Sequence, residues 1–203
     1  MSNKKKVLVV GASGTLGKCV SNELSKKHEV IRASRSSSDI KIDIADKESI
    51  KSAFKKLGKI DAVVCTAGEV FFGDFEKLTE EQFYKGIQSK MMGQINLVLI
   101  GKDYVNDNGS FTLTTGILAD EPISGSTNST TVNNAIHGFV LSASKELKRG
   151  IRINAVCPGL VEASVSELGH LFPGYDVIPM DRTANGYLKS VEGIANGQVI
   201  KIY

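Results

Sequence analysis

No stretch of this sequence approaches the ~18 apolar residues that a membrane span needs. Its first apolar run, Val7 to Val10, is too short for the apolar segment of a secretory signal. A cytoplasmic protein with no membrane partner is the expectation. Cysteine is scarce, and the odd set Cys19, Cys65 and Cys157 contains no close pair. All three sit in apolar contexts and read as reduced thiols, not as a disulfide framework. No spacing of His, Cys and carboxylates matches a metal site, so no metal is expected. Excess charge of either sign is also small. Lys and Arg number 25 against 22 Asp and Glu, and the resulting +3 is spread along the chain. The one early basic run, Lys4 to Lys6, reads as a solvated lead-in to a strand, and no nucleic-acid partner is expected.

What the sequence does have is the balance of an ordinary globular domain: 203 residues, 41% hydrophobic and 23% charged. That length suits a single domain over 1–203. Short apolar runs alternate with longer stretches of helical spacing. Strands are predicted at Lys6–Val10, Glu29–Ala33, Ile40–Ile44, Asp61–Thr66, Ser110–Thr115, Ile151–Val156 and Val199–Ile202. Helices are predicted at Gly14–Lys27, from an Asp46 cap to Leu57, from Thr79 to about Val105, and at Asn128–Lys148. Thr79 and Gln82 fit a capping box, and Ser34–Ser38 reads as a polar turn. Strands alternating with helices imply parallel crossovers. The fold class is therefore α/β: one doubly wound, Rossmann-type domain, with a seven-stranded, mostly parallel sheet in the order 3-2-1-4-5-6-7 and helices on both faces.

The first strand runs directly into Gly11-Ala-Ser-Gly14-Thr-Leu-Gly17, where a helix opens. Phosphate binding needs close backbone approach, unpaired N–H groups and the positive end of a helix dipole. Glycines at a strand-to-helix turn supply all three, and Gly17 also lets the helix pack closely on the strand. Gly11, Ser13, Gly14, Leu16 and Gly17 are therefore candidate cofactor residues. The end of the second strand bears on which dinucleotide fits. An acid there would bind a ribose 2′-hydroxyl, and an Arg would accept a 2′-phosphate. The strand ends Arg32-Ala-Ser-Arg35-Ser-Ser, with no acid before Asp39. Arg35 can clamp phosphate oxygens, which favours NADP(H) over NAD(H).

These residues, with Asp43 after the third strand, Thr66-Ala67-Gly68 ending the fourth, and Gly150-Ile-Arg-Ile-Asn-Ala-Val-Cys-Pro158-Gly159, resemble the short-chain dehydrogenase/reductase family nearly end to end. Within it the chain looks like a small, divergent bacterial subgroup, and its Gly-x-x-Gly-x-x-Gly spacing is more like the family's extended or atypical branches. The resemblance implies Asp43 against the adenine and Ala67 and Gly68 along the nucleotide path. It places Pro158, Gly159 and Val161 at the nicotinamide end. The segment Ser164–Met180 looks like the family's substrate-covering loop and helix. By the same resemblance the protein is expected to act on a small carbonyl or alcohol and to form a homodimer or homotetramer through its two long helices, with Phe139 and Val140 either at the interface or in the core.

The family's usual Ser, Tyr, Lys and Asn do not stand where this register puts them. Asn133 takes the lysine position, Ser129 the tyrosine position and Gly116, beside Thr115, the serine position. Lys90 takes the asparagine position. A serine hydroxyl is much less acidic than a phenol, so Ser129 replaces tyrosine poorly. Asn and Lys have in effect exchanged between positions 90 and 133. Lys90, Thr115, Ser129 and Asn133 are thus the candidate catalytic residues, with Lys90 either acting on the substrate oxygen or bonded structurally to backbone carbonyls of a helix break. His137, one turn past Asn133, is a packing residue or an alternative proton donor. Lys145, in Leu141-Ser-Ala-Ser-Lys145, reads as a surface residue. Two functions follow: an oxidoreductase with a non-standard catalytic site, or a catalytically silent NADP(H)-binding sensor.

Overall fold

A computed structural model of the chain describes residues 4–36 and 39–203, so Ser37 and Ser38 of the predicted polar turn lie outside the described residues. Strand β1 (Lys6–Val10) lies mid-sheet, parallel to both β2 (Glu29–Ser34) and β4 (Ile60–Cys65). A central parallel strand is covered on both faces, which is why Val7 to Val10 are all apolar. Leu8 and Val10 enter one core layer with Phe54, Leu97 and Ile136; Val7 and Val9 enter the other with Val20, Leu24, Tyr187 and Val191. Each such side chain contributes roughly 1.5–3 kcal/mol on full burial.

With β3 (Ile40–Lys41), β5 (Val105–Thr114), β6 (Arg152–Pro158) and β9 (Val199–Ile202), the sheet has seven strands in the order β3-β2-β1-β4-β5-β6-β9. Every pairing is parallel. This is the expected order, the final strand being ninth in the chain because β7 (Leu160–Val161) and β8 (Val177–Ile178), with the short helix α6 (Val165–Leu168) between them in sequence, form a separate parallel pair. Helices α1 (Thr15–Ser25) and α7 (Met180–Glu192) cover one face. Helices α2 (Lys47–Leu57), α4 (Gly93–Gly101) and α5 (Thr127–Glu146) cover the other. Asp46 caps α2 through the Glu48 N–H, and the Thr79–Gln82 capping box opens α3 (Glu80–Gly86).

Several expectations need correction. The predicted helix from Thr79 to Val105 is not continuous: α3 passes into a π-helical turn at Ile87–Met92, α4 ends at Gly101, and Val105 already belongs to β5. The β5 start was hidden by polar residues 106–109, which bulge outward where the pairing jumps from Ile60↔Val105 to Ala62↔Ser110. Strand β3 stops at Lys41; Ile42 and Ile44 stay buried but turn to a cleft wall instead of a ladder. Val140 is fully buried in the core and is no interface residue, and Phe139 packs against the same core. Lys5 and Lys6 are half-buried, not a free lead-in. Lys5 Nζ donates to Val191 O (2.6 Å) in α7, and Lys6 Nζ to Leu57 O (3.0 Å) in α2. Each cation thus meets carbonyls near a helix C-terminus, where the helix dipole favours it.

Candidate functional site

The strands' C-terminal edge carries a cleft of ≈ 210 Å³, the kind of crevice where open α/β sheets bind ligands. Seven of the residues singled out above line it together: Gly11, Ser13, Gly14, Arg35, Asp43, Ala67 and Gly68. The loop that floors it is built for close approach. Gly11 holds φ +87°, and a Cβ there would meet Ala67 N at 2.7 Å; a Cβ on Gly17 would lie 2.1 Å from Gly11 O. Helix α1 opens on the cleft without a side-chain cap. Its first helical hydrogen bond is Lys18 N–H to Gly14 O (2.9 Å), so the N–H groups of Thr15, Leu16 and Gly17 precede it. Uncapped first-turn N–H groups and a missing Cβ at the turn fit a phosphate. The residues present therefore fit the dinucleotide that the resemblance implies.

Leu16 and Gly17 support this cleft from behind, Leu16 packed against the α1–α7 core layer and Gly17 against Gly11. Asp43 is held in place at the cleft wall: its N–H donates to Ser49 Oγ (2.9 Å), and its Oδ1 accepts from Ala45 N–H (3.0 Å). Pro158, Gly159 and Val161 lie elsewhere, at the end of β6 and in β7. A Cβ on Gly159 would touch Tyr203 Cβ at 2.9 Å, so this turn sits against the end of β9.

The π turn delivers Lys90. It rests on Gly68, where a Cβ would meet Lys90 Cγ at 2.7 Å, and Gly93 after it is pressed on Ile44. Among the described residues, Lys90 Nζ has neither a hydrogen bond nor a carboxylate within ion-pair distance, so the predicted alternative of bonds to backbone carbonyls is not what is found. The residue as a whole is half-buried, and its ammonium is surrounded by protein atoms. Burial pushes its pKa down to about 8, with the Cys157 and Cys65 thiols acting weakly in the other direction.

The other candidates lie on α5 and just after β5. Ser129 and Asn133 are buried one turn apart on α5, with Asn133 Nδ2 donating to Ser129 Oγ at 3.4 Å. Asn133 is 1% exposed, and its Oδ1 has no hydrogen-bond partner among the described residues. Thr115 is turned away from them: its Oγ1 is 2.8 Å from His137 Nε2 and donates a longer bond to Val156 O (3.4 Å). Gly116 leaves room, since a Cβ there would meet only Asn133 Nδ2 at 3.7 Å and Pro158 O at 3.9 Å. Burial lowers the pKa of His137, with Asp120 opposing and Lys201 and Lys90 adding to the shift.

Several neighbours carried little sequence signal. Glu69 and Ser89 line the cleft, and only their adjacency to Gly68 and Lys90 could have flagged them. Asp120, from the turn after β5, binds both Lys201 Nζ (2.8 Å) and the Tyr203 hydroxyl, 81 and 83 residues on. The Cys157 thiol lies against Thr115 and Tyr203, and burial pushes its pKa up.

The chain matches, over residues 12–186, a family model described as enoyl-(acyl carrier protein) reductase. It is 24% identical over 193 residues to the 15-hydroxyprostaglandin dehydrogenase [NAD(+)] of Bos taurus, covering 80% of this chain and 70% of that one. Similarity to the 3-oxoacyl-[acyl-carrier-protein] reductase FabG of Rickettsia conorii is 26% over 181 residues, covering 80% and 75%. Among solved structures, the protein lin1944 from Listeria innocua superposes with a TM-score of 0.96 at 44% identity, covering 98% of this chain and 99% of that one. A small-chain dehydrogenase in complex with NADPH superposes with a TM-score of 0.87 at 25% identity, covering 98% and 97%.

Proposed function

This chain belongs to the short-chain dehydrogenase/reductase family, and from that premise we propose that it is an NADP(H)-dependent oxidoreductase acting on a small carbonyl or alcohol, with catalytic side chains other than the family's usual set. The observation that carries the reading is the gathering of Gly11, Ser13, Gly14, Arg35, Asp43, Ala67 and Gly68 on one cleft that opens at an uncapped helix N-terminus. When bound, the nicotinamide supplies the hydride.

In this reading the chain's own groups do the rest. The N–H groups of the first turn of α1 hold the pyrophosphate, Asp43 faces the adenine, and Arg35 takes the 2′-phosphate. Pro158, Gly159 and Val161 border the nicotinamide end. Among the described residues no carboxylate neutralises Lys90, so its ammonium is available to an oxygen that gains negative charge as a carbonyl is reduced. With a pKa of about 8 it also exchanges protons readily near neutral pH. Ser129 and Asn133 form a polar pair on α5, and Thr115 is oriented by His137. A homodimer or homotetramer forms through α3, α4 and α5, whose exposed Tyr84, Leu99 and Leu141 are apolar enough to meet a second copy.

Fluorescence titration with NADPH followed by a carbonyl panel, read at the reduced-nicotinamide absorbance band, tests the proposal. Saturable binding and turnover that falls about 10²–10⁴-fold in Lys90→Met are expected. Failure to bind any nicotinamide dinucleotide removes the cofactor reading. Binding with no turnover across the panel removes the oxidoreductase reading.

A further inference from the structure

The cleft already contains a partner for Arg35. Arg35 Nη2 donates to Glu69 Oε1 at 2.8 Å, and both side chains line the same cleft, one following β2 and the other following β4. Glu69 is not a loosely hung side chain. Its backbone N–H donates to Ser89 Oγ (3.0 Å), and Gly68 before it is pressed onto Lys90 so closely that no Cβ fits. The π turn thus fixes the base from which the carboxylate reaches across to Arg35. Both ends of the pair are about two-thirds exposed, so it adds little to stability. Its effect falls on whatever seeks the guanidinium next.

We propose that Glu69 is a specificity-determining residue that competes with a cofactor's 2′-phosphate for Arg35; this rests on the reading that the cleft seats a nicotinamide dinucleotide. A phosphate monoester carries about −1.5 to −2 charge near neutral pH. To bind Arg35 it must displace Glu69 from Nη2 or share the guanidinium with it, and in either case it lies beside the carboxylate. A 2′-hydroxyl faces no such conflict. It is neutral, it can donate to a carboxylate, and it leaves the Arg35–Glu69 pair intact. Arg35 therefore draws the chain toward NADP(H), Glu69 draws it toward NAD(H), and the two settle the ratio between them.

Calorimetric titration of the full chain with NADPH and with NADH, in the wild type, Glu69→Gln, Arg35→Gln and the double variant, tests this without requiring turnover. Glu69→Gln is expected to tighten NADPH about two- to fivefold, the range open to exposed charge contacts, and not to tighten NADH. Arg35→Gln is expected to weaken NADPH and to erase the effect of Glu69→Gln in the double variant. An unchanged NADPH-to-NADH ratio in Glu69→Gln, beside normal wild-type binding, overturns this inference alone. So does a Glu69→Gln effect that persists without Arg35. A wild type that binds neither dinucleotide overturns the cofactor reading and this inference with it.

Discussion

Thr115 Oγ1 and His137 Nε2 lie 2.8 Å apart, tying the end of β5 to α5 one turn beyond Asn133. The contact makes His137 a half-buried imidazole whose charged form is disfavoured by desolvation. A histidine with a lowered folded pKa binds fewer protons in the folded state than in the unfolded one across that range. Its contribution to stability is present above the unfolded value of about 6.5 and is lost as pH falls below it. His137→Gln should therefore flatten the decline of melting temperature between about pH 6.5 and pH 5, measured by circular dichroism in matched buffers. An acid limb as steep as the wild type's would assign that decline to other groups.

Gly17 admits no side chain. Its Cβ would lie 2.1 Å from Gly11 O and 2.8 Å from Ala12 Cα, both backbone atoms that cannot rotate aside. Gly17→Ala is expected to cost about 1–3 kcal/mol, read as a lower urea midpoint, and to weaken dinucleotide binding by displacing the loop. A variant with the wild-type midpoint would mean that α1 can shift away from β1 freely.

Asn133 buries an amide oxygen with no partner among the described residues, an arrangement that favours function over stability. Asn133→Leu in a Ser129→Ala background removes that uncompensated polar atom without orphaning the Ser129 hydroxyl that Asn133 Nδ2 reaches, and should stabilise the fold by about 1 kcal/mol relative to Ser129→Ala. In a chain of this size that is a rise of roughly 2–4 °C in melting temperature. Turnover should fall in the same variant if Asn133 serves the site. Lower stability would place a hydrogen-bond donor, such as an ordered water, at Oδ1.

Lys90 sets a pH limit on reduction. Its charged form predominates below its pKa of about 8, so carbonyl reduction should decline as pH rises through that value. A pH–rate profile of kcat/KM should show this alkaline limb in the wild type and lack it in Lys90→Met. Persistence of the limb in the variant would assign it to another group.

The parts of the fold that were legible are those where local chemistry and tertiary demand agree. Val7 to Val10 had to be a buried central strand, the Thr79–Gln82 pair had to open a helix, and Gly11 to Gly17 had to be a tight turn. What escaped notice depends on partners distant in sequence. The π turn at Ile87–Met92 has ordinary helical composition, and the close contacts that frame it, Gly68 on Lys90 and Ile44 on Gly93, come from segments distant in sequence. Helix α7 hides behind small polar residues. Thr183 and Ser190 are fully buried in it, and Ser190 Oγ bonds Thr112 Oγ1 of β5 at 2.7 Å. The cofactor loop was readable because one short segment carries it. Glu69, Asp120 and Tyr203 were not, because each acquires meaning only from a side chain on another strand.

The Lys5–Val191 contact joins residues 186 positions apart. Helix α7 covers the face of β1 that carries Val7 and Val9. At about 5–20 residues added per second, synthesis separates the emergence of β1 from that of α7 by roughly 10–35 s. During that interval a nascent chain exposes a valine-rich strand with part of one face uncovered. Strand β1 is thus finished only when a helix far later in the chain arrives, and a holdase acting on the nascent chain would find an apolar target there.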